Sequence, residues 1–222
     1  MTSPSDQRSS RRTCRAGFTV VHRDARIIIL EKPSGLLAVP GRGLDLQDCL
    51  SSRVQAAFPD ARVVHRLDRD TSGLMLMALD ADAQRHVSRQ FEQRQVHKVY
   101  ECIVWNIPTT AAGRIDLPIG RDPYHPPRYR IDHAHGRSSQ TDWQLKASLG
   151  DRARLIVEPI TGRSHQIRLH LAASGHAILG DPLYADATAR AAAERLLLHA
   201  CQLQVTHPSN GRNVSWYSAC PF

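Results

Sequence analysis

An α+β domain on a mixed, mostly antiparallel sheet is predicted from three features of the sequence. Strand-like and helix-like stretches are interspersed without strict strand–helix–strand alternation, which argues against a doubly wound parallel sheet. The 222 residues suffice for one large domain with a single buried core. After about residue 16 no long linker, repeat or low-complexity tract divides the chain, so residues 17–222 are expected to fold as one unit.

Residues 1–16 read as a disordered basic arm, without the apolar stretch of a secretory signal. Arg26 to Leu30 is an isoleucine-rich buried strand ended by Lys32-Pro33-Ser34-Gly35. Leu46 to Phe58 reads as a helix with Asp45 as N-cap and Pro59 as stop. Leu74 to Leu79 is a short apolar strand. Asp80 then caps a helix running to about Arg94, with Ala83, Val87 and Phe91 on one face. Val96 to Trp105 is a largely buried strand. Pro108 to Ser139, rich in Pro, Gly, His and Arg, suggests long loops or a β-hairpin excursion. Gln140 to Ala147 and Arg154 to Ile160 are two strands around a turn at Gly150-Asp151. Ser164 is placed to cap a helix from His165 to Ser174, closed by Gly175. An alanine-rich helix over about Ala187 to Leu196 precedes a closing strand, Leu197 to Thr206.

The net charge of +8 and a pI near 9.7 favour a polyanionic partner, most commonly nucleic acid. Lysine occurs only at Lys32, Lys98 and Lys146, so arginine carries most of the charge. Its planar fork suits phosphate and base stacking, although a GC-rich genome would give the same bias. No segment approaches the roughly 18 consecutive apolar residues of a membrane span. Five scattered cysteines form no C-x-x-C motif, and their odd number suits reduced thiols in a cytoplasmic setting.

Three constellations could carry chemistry. In His65 to Gly73, Asp68 lies between Arg66 and Arg69 beside apolar Val63, Val64 and Leu74. A buried aspartate there needs a cation or several hydrogen bonds and could then act as a nucleophile. Local composition is equally compatible with a surface loop of self-compensating ion pairs. The second cluster, Thr161 to Leu171, contains Arg163, His165 and Arg168 around a helix N-terminus, which attracts anions. Arg168 either reaches inward to a buried acid or is solvated. The third is the strand His97 to Glu101, where Tyr100 and Lys98 share a face. Tyr100 could stack on a base or be an ordinary core tyrosine.

Among the twelve histidines, His165 and His170 are unsuitably spaced for a metal pair, and His133 with His135 lacks a completing ligand, so no metal is expected. No phosphate-binding G-x-x-x-x-G-K-[ST] loop occurs, and no ATP-driven step is supported.

The segment His65-Arg66-Leu67-Asp68-Arg69-Asp70-Thr71-Ser72-Gly73 resembles the catalytic motif of RluA-type pseudouridine synthases. Leu30 to Leu36, Lys98-Val99-Tyr100, Pro159 to His170, Gly175 to Tyr184 and Leu197 to Ala200 resemble further motifs of that family, in order. The resemblance covers about residues 18 to 222 and implies the pseudouridine synthase catalytic fold, without the N-terminal S4-like RNA-binding domain of many relatives. It implies isomerisation of uridines in RNA stem-loops, in 23S rRNA, the tRNA anticodon loop or both. The base would be flipped out, its N1–C1′ bond broken and C5 joined to C1′.

By the same resemblance Asp68 is the essential aspartate and Arg168 its partner. Tyr100 packs against the target base and is a candidate proton acceptor. Arg66 enters the stack vacated by the nucleotide, and His65, Arg69, Lys98, Arg163 and His165 assist RNA binding and flipping. RNA is the implied partner of a cytoplasmic monomer, with no cofactor, nucleotide or membrane. The rival reading is a catalytically silent RNA-binding or RNA-folding module on this fold, against which the intact Asp68, Tyr100 and Arg168 set argues. A metal-dependent hydrolase is disfavoured by ligand spacing.

Overall fold

The computed structural model describes Arg12–Cys14 and residues 17–222. Eleven strands form one sheet. Along its main path the order is β1 (Arg12–Cys14), β2 (Phe18–Arg23), β3 (Ile27–Lys32), β5 (Ser72–Ala78), β12 (Leu198–Thr206), β6 (His97–Trp105), β11 (Arg152–Pro159), β10 (Gln140–Leu149) and β7 (Ala112–Asp116). Off this path, β4 (Arg62–Val63) pairs with β5 and β13 (Asn213–Tyr217) with β12. Among the described strands only β5 and β12 pair in parallel, through His199–Ser72 and Ala200–Gly73. The α+β prediction of a mixed, mostly antiparallel sheet therefore holds.

The isoleucine-rich strand and its apolar neighbour are buried on both faces, which accounts for their lack of polar alternation. Ile28, Leu30, Met75 and Met77 pack under α1 (Leu50–Ala57), with Leu50 and Val54. Ile27, Ile29, Leu74 and Leu76 pack on the other face against Val87 of α2 (Ala81–Glu92). A third cluster joins Cys102, Val104, Leu155 and Val157 to Ile167 and Leu171 of α3 (Gln166–Ala173). α2 thus packs over β5 and β12 and α3 over β10 and β11, the strands to the two sides of β6 in the sheet.

Asp80 caps α2 as expected, accepting from the Ala83 N–H at 2.8 Å. Other boundaries differ for identifiable reasons. Leu44–Leu46 is a short 3-10 turn, and α1 starts only at Leu50, capped by Cys49 rather than Asp45. The N–H groups of Leu50 and Ser51 are taken by the carbonyls of Leu37 and Ala38, which fixes the start there. Ser164 does not cap α3. His165 holds the N-cap position in a left-handed conformation (φ 56), and the Gln166 side chain accepts from the Arg163 N–H instead.

The alanine-rich helix is short, α4 (Ala187–Ala191). The chain turns after it because Gly180 donates its N–H to the Ala189 carbonyl and lies against the Arg195 carbonyl, where a Cβ would clash. The strand expected to close the fold is central, with β5 and β6 on its two sides, and β13 follows it. The Pro108 to Ser139 excursion divides into β7, on the main sheet edge, and a separate hairpin of β8 (Ile119–Arg121) and β9 (Tyr129–Ile131). Of the expected basic arm, Arg12–Cys14 pairs with β2 and the remainder lies outside the described residues.

Candidate active site

A cleft of about 420 Å³ opens between the His65 to Thr71 loop, the end of α2, the start of β6 and the N-terminus of α3. Its walls carry His65, Arg66, Asp68, Lys98, Tyr100, Arg163, His165 and Arg168. Eight of the nine residues singled out from sequence therefore meet in one place, although they derive from three separated segments. Arg69 does not line the cleft. Its guanidinium turns to the Gly35 carbonyl at 3.0 Å.

The loop bearing Asp68 is held from behind. Lys32 is completely buried and its ammonium donates to the carbonyls of Pro33, Leu36 and Arg69 at 2.8, 2.7 and 2.8 Å. Ser34 donates to the Asp70 carbonyl at 2.7 Å. Burial pushes Lys32 down to about 8, against the pull of Asp70 and Asp68. At the far end of the loop Gly73 (φ +114) lies so close to β12 that a Cβ would overlap the Ala200 backbone.

Arg168 comes from the first turn of α3 and is 2% exposed. Its Nε and Nη2 donate to the two carboxylate oxygens of Asp181 at 2.8 and 2.6 Å. Nη1 remains 3.6 Å from the Asp68 carboxylate. Asp181 is fixed in turn by the N–H groups of Leu183 and Tyr184. A guanidinium clamped on one edge thus faces Asp68 with the other. The Tyr184 ring lies beneath it, 5.4 Å from the guanidinium carbon.

Tyr100 enters from β6. Burial, and then the Asp68 charge, push its phenol far above its ordinary range. In the free protein it is a neutral hydroxyl, a packing surface and hydrogen-bond donor rather than a ready base. Lys98, on the same face of β6, is pushed down to about 8 by burial.

The two histidines of the cleft are anchored through different ring nitrogens. His65 stacks on Phe91 at 4.5 Å and accepts the Leu76 N–H on Nε2 at 2.9 Å, while burial pushes it down to about 3. It is neutral, with Nε2 held by β5 and its proton on Nδ1. Tyr184 accepts the Tyr129 N–H, and its hydroxyl lies 2.7 Å from His165 Nδ1, to which it is free to donate. With that hydroxyl donating, the His165 proton sits on Nε2, available to a ligand.

Arg66, Arg94, Lys98 and Arg163 line the cleft with no acidic partner at ion-pair distance among the described residues. Arg163 Nε is buried without a hydrogen-bond partner among the described residues, and desolvation, then Arg137 and Arg94, lower its pKa. Among the described residues Asp68 and Glu92 supply the only carboxylates of the lining. Among the described residues no three His, Cys, Asp or Glu side chains gather as metal ligands.

Sequence reasoning did not assign Asp181, Tyr184, Lys32 or Arg94 to the site. Asp181 and Tyr184 stood inside a motif already noted, and the cue was chemical: an arginine reaching a buried acid needs a second anion to offset its own burial. Arg94 carries no such cue. It lies just beyond α2 in a left-handed conformation (φ 59).

A family model for RNA pseudouridylate synthase matches residues 26–173, which spans the Asp68 loop, Tyr100 and Arg168. The chain belongs to the RluA-type pseudouridine synthases. The dual-specificity RNA pseudouridine synthase RluA of Escherichia coli K12 is 42% identical over 206 residues, covering 92% of this chain and 94% of that protein. The same-named protein of Yersinia pestis is 45% identical over 193 residues, covering 86% and 94%. Among solved structures, human RNA pseudouridylate synthase domain containing 1 superposes with a TM-score of 0.79 at 27% identity, covering 96% of this chain and 87% of that one. Human RNA pseudouridylate synthase domain containing 4 gives 0.74 at 25%, covering 91% and 88%. As a pseudouridine synthase the chain is an enzyme that isomerises uridine in RNA to pseudouridine. No described helix of this synthase is long and apolar enough to cross a membrane.

Proposed function

We propose that this synthase modifies uridines in stem-loops of 23S rRNA, the tRNA anticodon loop or both, with Asp68 as its reacting carboxylate. The observation that carries the reading is the convergence of Asp68, Tyr100 and the clamped Arg168 in one cleft. The name of the 42% identical relative, a dual-specificity RNA pseudouridine synthase, supports more than one RNA target. The RNA is met in the cytoplasm by a monomer.

A cleft of this volume admits one nucleotide and excludes a duplex, so the target uridine must leave its stack. Arg66, exposed at the mouth and two residues before Asp68, fills the gap it leaves. Arg163, Arg94 and Lys98 hold flanking phosphates, and His165 donates through Nε2 to the sugar or base. Tyr100 packs on the uracil. Asp68, facing Arg168, drives cleavage of the N1–C1′ bond. The uracil turns within the cleft, C5 joins C1′, C5 releases its proton and N1 takes one up. Atoms and charge balance without a second substrate.

Mapping pseudouridines in total RNA from cells with and without this protein tests the substrate assignment. Sites that vanish from stem-loops of 23S rRNA or the anticodon loop support it. Loss of sites confined to other RNAs contradicts it.

A further inference from the structure

Behind the catalytic loop, on the face of the sheet away from the cleft, a chain of buried polar groups runs from a cation to an anion. Arg195 Nη2 donates to Ser72 Oγ at 2.7 Å. Ser72 Oγ lies 2.9 Å from His199 Nδ1, and His199 Nε2 lies 3.0 Å from Ser218 Oγ. Ser218 Oγ donates to Glu31 Oε1 at 2.8 Å. Ser72, His199 and Ser218 are 4%, 1% and 0% exposed.

One proton arrangement runs the chain in a single direction, with the Leu198 carbonyl, 3.5 Å from Ser72 Oγ, as a more distant second acceptor for the Ser72 hydroxyl. Glu31 accepts only, so the Ser218 hydroxyl proton points to it. Ser218 then accepts from His199 Nε2–H, which leaves Nδ1 as an acceptor for the Ser72 hydroxyl, and Ser72 accepts from Arg195. All donors point the same way, from the Arg195 loop through β5 and β12 to β3. His199 is neutral in this arrangement, and burial lowers its pKa accordingly.

A serine, a histidine and a carboxylate in series would suggest a hydrolytic nucleophile. Ser72 is buried on the far face, however, and no substrate reaches its oxygen. What it does touch is the loop. Ser72 is the first residue of β5, four residues after Asp68, and its neighbour Thr71 lines the cleft. The His199–Ser72 and Ala200–Gly73 pairs are the whole of the parallel join between β5 and β12. The joint that sets the height of the Asp68 loop over β12 is therefore two residues long, and Ser72 is one of them.

We infer that the Arg195–Ser72–His199–Ser218–Glu31 chain is a positioning device that sets the depth of Asp68 in the cleft, with Ser72 and His199 as its central positioning residues. It acts on the chemical step and not on RNA capture, because none of its members lines the cleft. The inference rests on Asp68 being the reacting carboxylate.

The test is single-turnover pseudouridine formation and RNA binding by Ser72→Ala, Ser218→Ala and the double variant, with thermal melts and Asp68→Asn measured alongside. Ser72→Ala should lower kcat roughly ten- to hundredfold, the scale on which small misplacement acts. KM and RNA affinity should stay within about twofold. Ser218→Ala, remote from the loop, should show a smaller loss of the same kind. The double variant should fall little below Ser72→Ala, because both break one chain. Wild-type kcat in either folded single variant overturns the inference, and so does strict additivity. Should Ser72→Ala fail to fold, Ser218→Ala alone decides. If Asp68→Asn retains turnover, the catalytic reading fails. If Asp68→Asn is inert while Ser72→Ala is fully active, only the positioning inference fails.

Discussion

Arg168 is clamped by Asp181 at 2.8 and 2.6 Å and presents its remaining nitrogen to Asp68 at 3.6 Å. The arginine is thereby oriented before any substrate arrives, and Asp68 faces a fixed charge instead of a mobile one. Removing Asp181 would strand a guanidinium that is 2% exposed. Asp181→Ala should cost about 3–5 kcal/mol of stability by chemical denaturation. It should also lower kcat more than it weakens RNA binding. A stable, fully active Asp181→Ala enzyme would show that the clamp is dispensable.

The arginines lacking acidic partners predict a salt effect. RNA binding by the wild type should weaken linearly with the logarithm of salt concentration. Arg94→Ala and Arg163→Ala should each weaken binding and reduce that slope by about one, with kcat at saturating RNA largely kept. Binding titrations across a salt series measure this. An unchanged slope in both variants would remove these residues from the RNA path.

Lys98, pushed down to about 8, predicts a pH effect. Its charge is present below pH 8 and lost as the pH rises through that value, so RNA affinity should fall between pH 7 and 9. Lys98→Arg keeps its charge throughout and should flatten the fall. Lys32 also lies near 8, but it is spent on three carbonyls and away from RNA. If the Arg variant shows the same fall as wild type, Lys98 is not the titrating contact.

Gly73 predicts a backbone effect. Its φ of +114 and its contact with the Ala200 backbone leave no room for a methyl group. Gly73→Ala should cost at least about 2 kcal/mol. A thermal melt matching wild type would show that β5 and β12 separate more freely than this contact suggests.

Much of this was legible in the sequence where the signal is local. The Ile27–Leu30 run, the Asp80 cap and the alternation placing Lys98 with Tyr100 depend on near neighbours. What escaped depends on contacts distant in the chain. Alanine content extends α4 to Leu196, whereas Gly180 packing against Arg195 turns the chain earlier. Ser164 has the chemistry of a cap, but the left-handed turn at His165 starts the helix one residue later, and the Gln166 side chain instead ties Thr161 and the Arg163 N–H together. The site separates in the same way. Motif residues point to Asp68, Tyr100 and Arg168, while Asp181 becomes functional only because Arg168 is buried. Arg69, equally prominent in its motif, is turned away by the Gly35 carbonyl.

The central claim is that Asp68 performs the chemistry in a cleft that captures RNA by other means. It is tested most directly by Asp68→Asn, with tritium release from 5-tritiated uridine RNA and RNA affinity measured on the same preparation. The account predicts that release falls to background while affinity stays within a few-fold of wild type. Tritium release at the wild-type rate would contradict it.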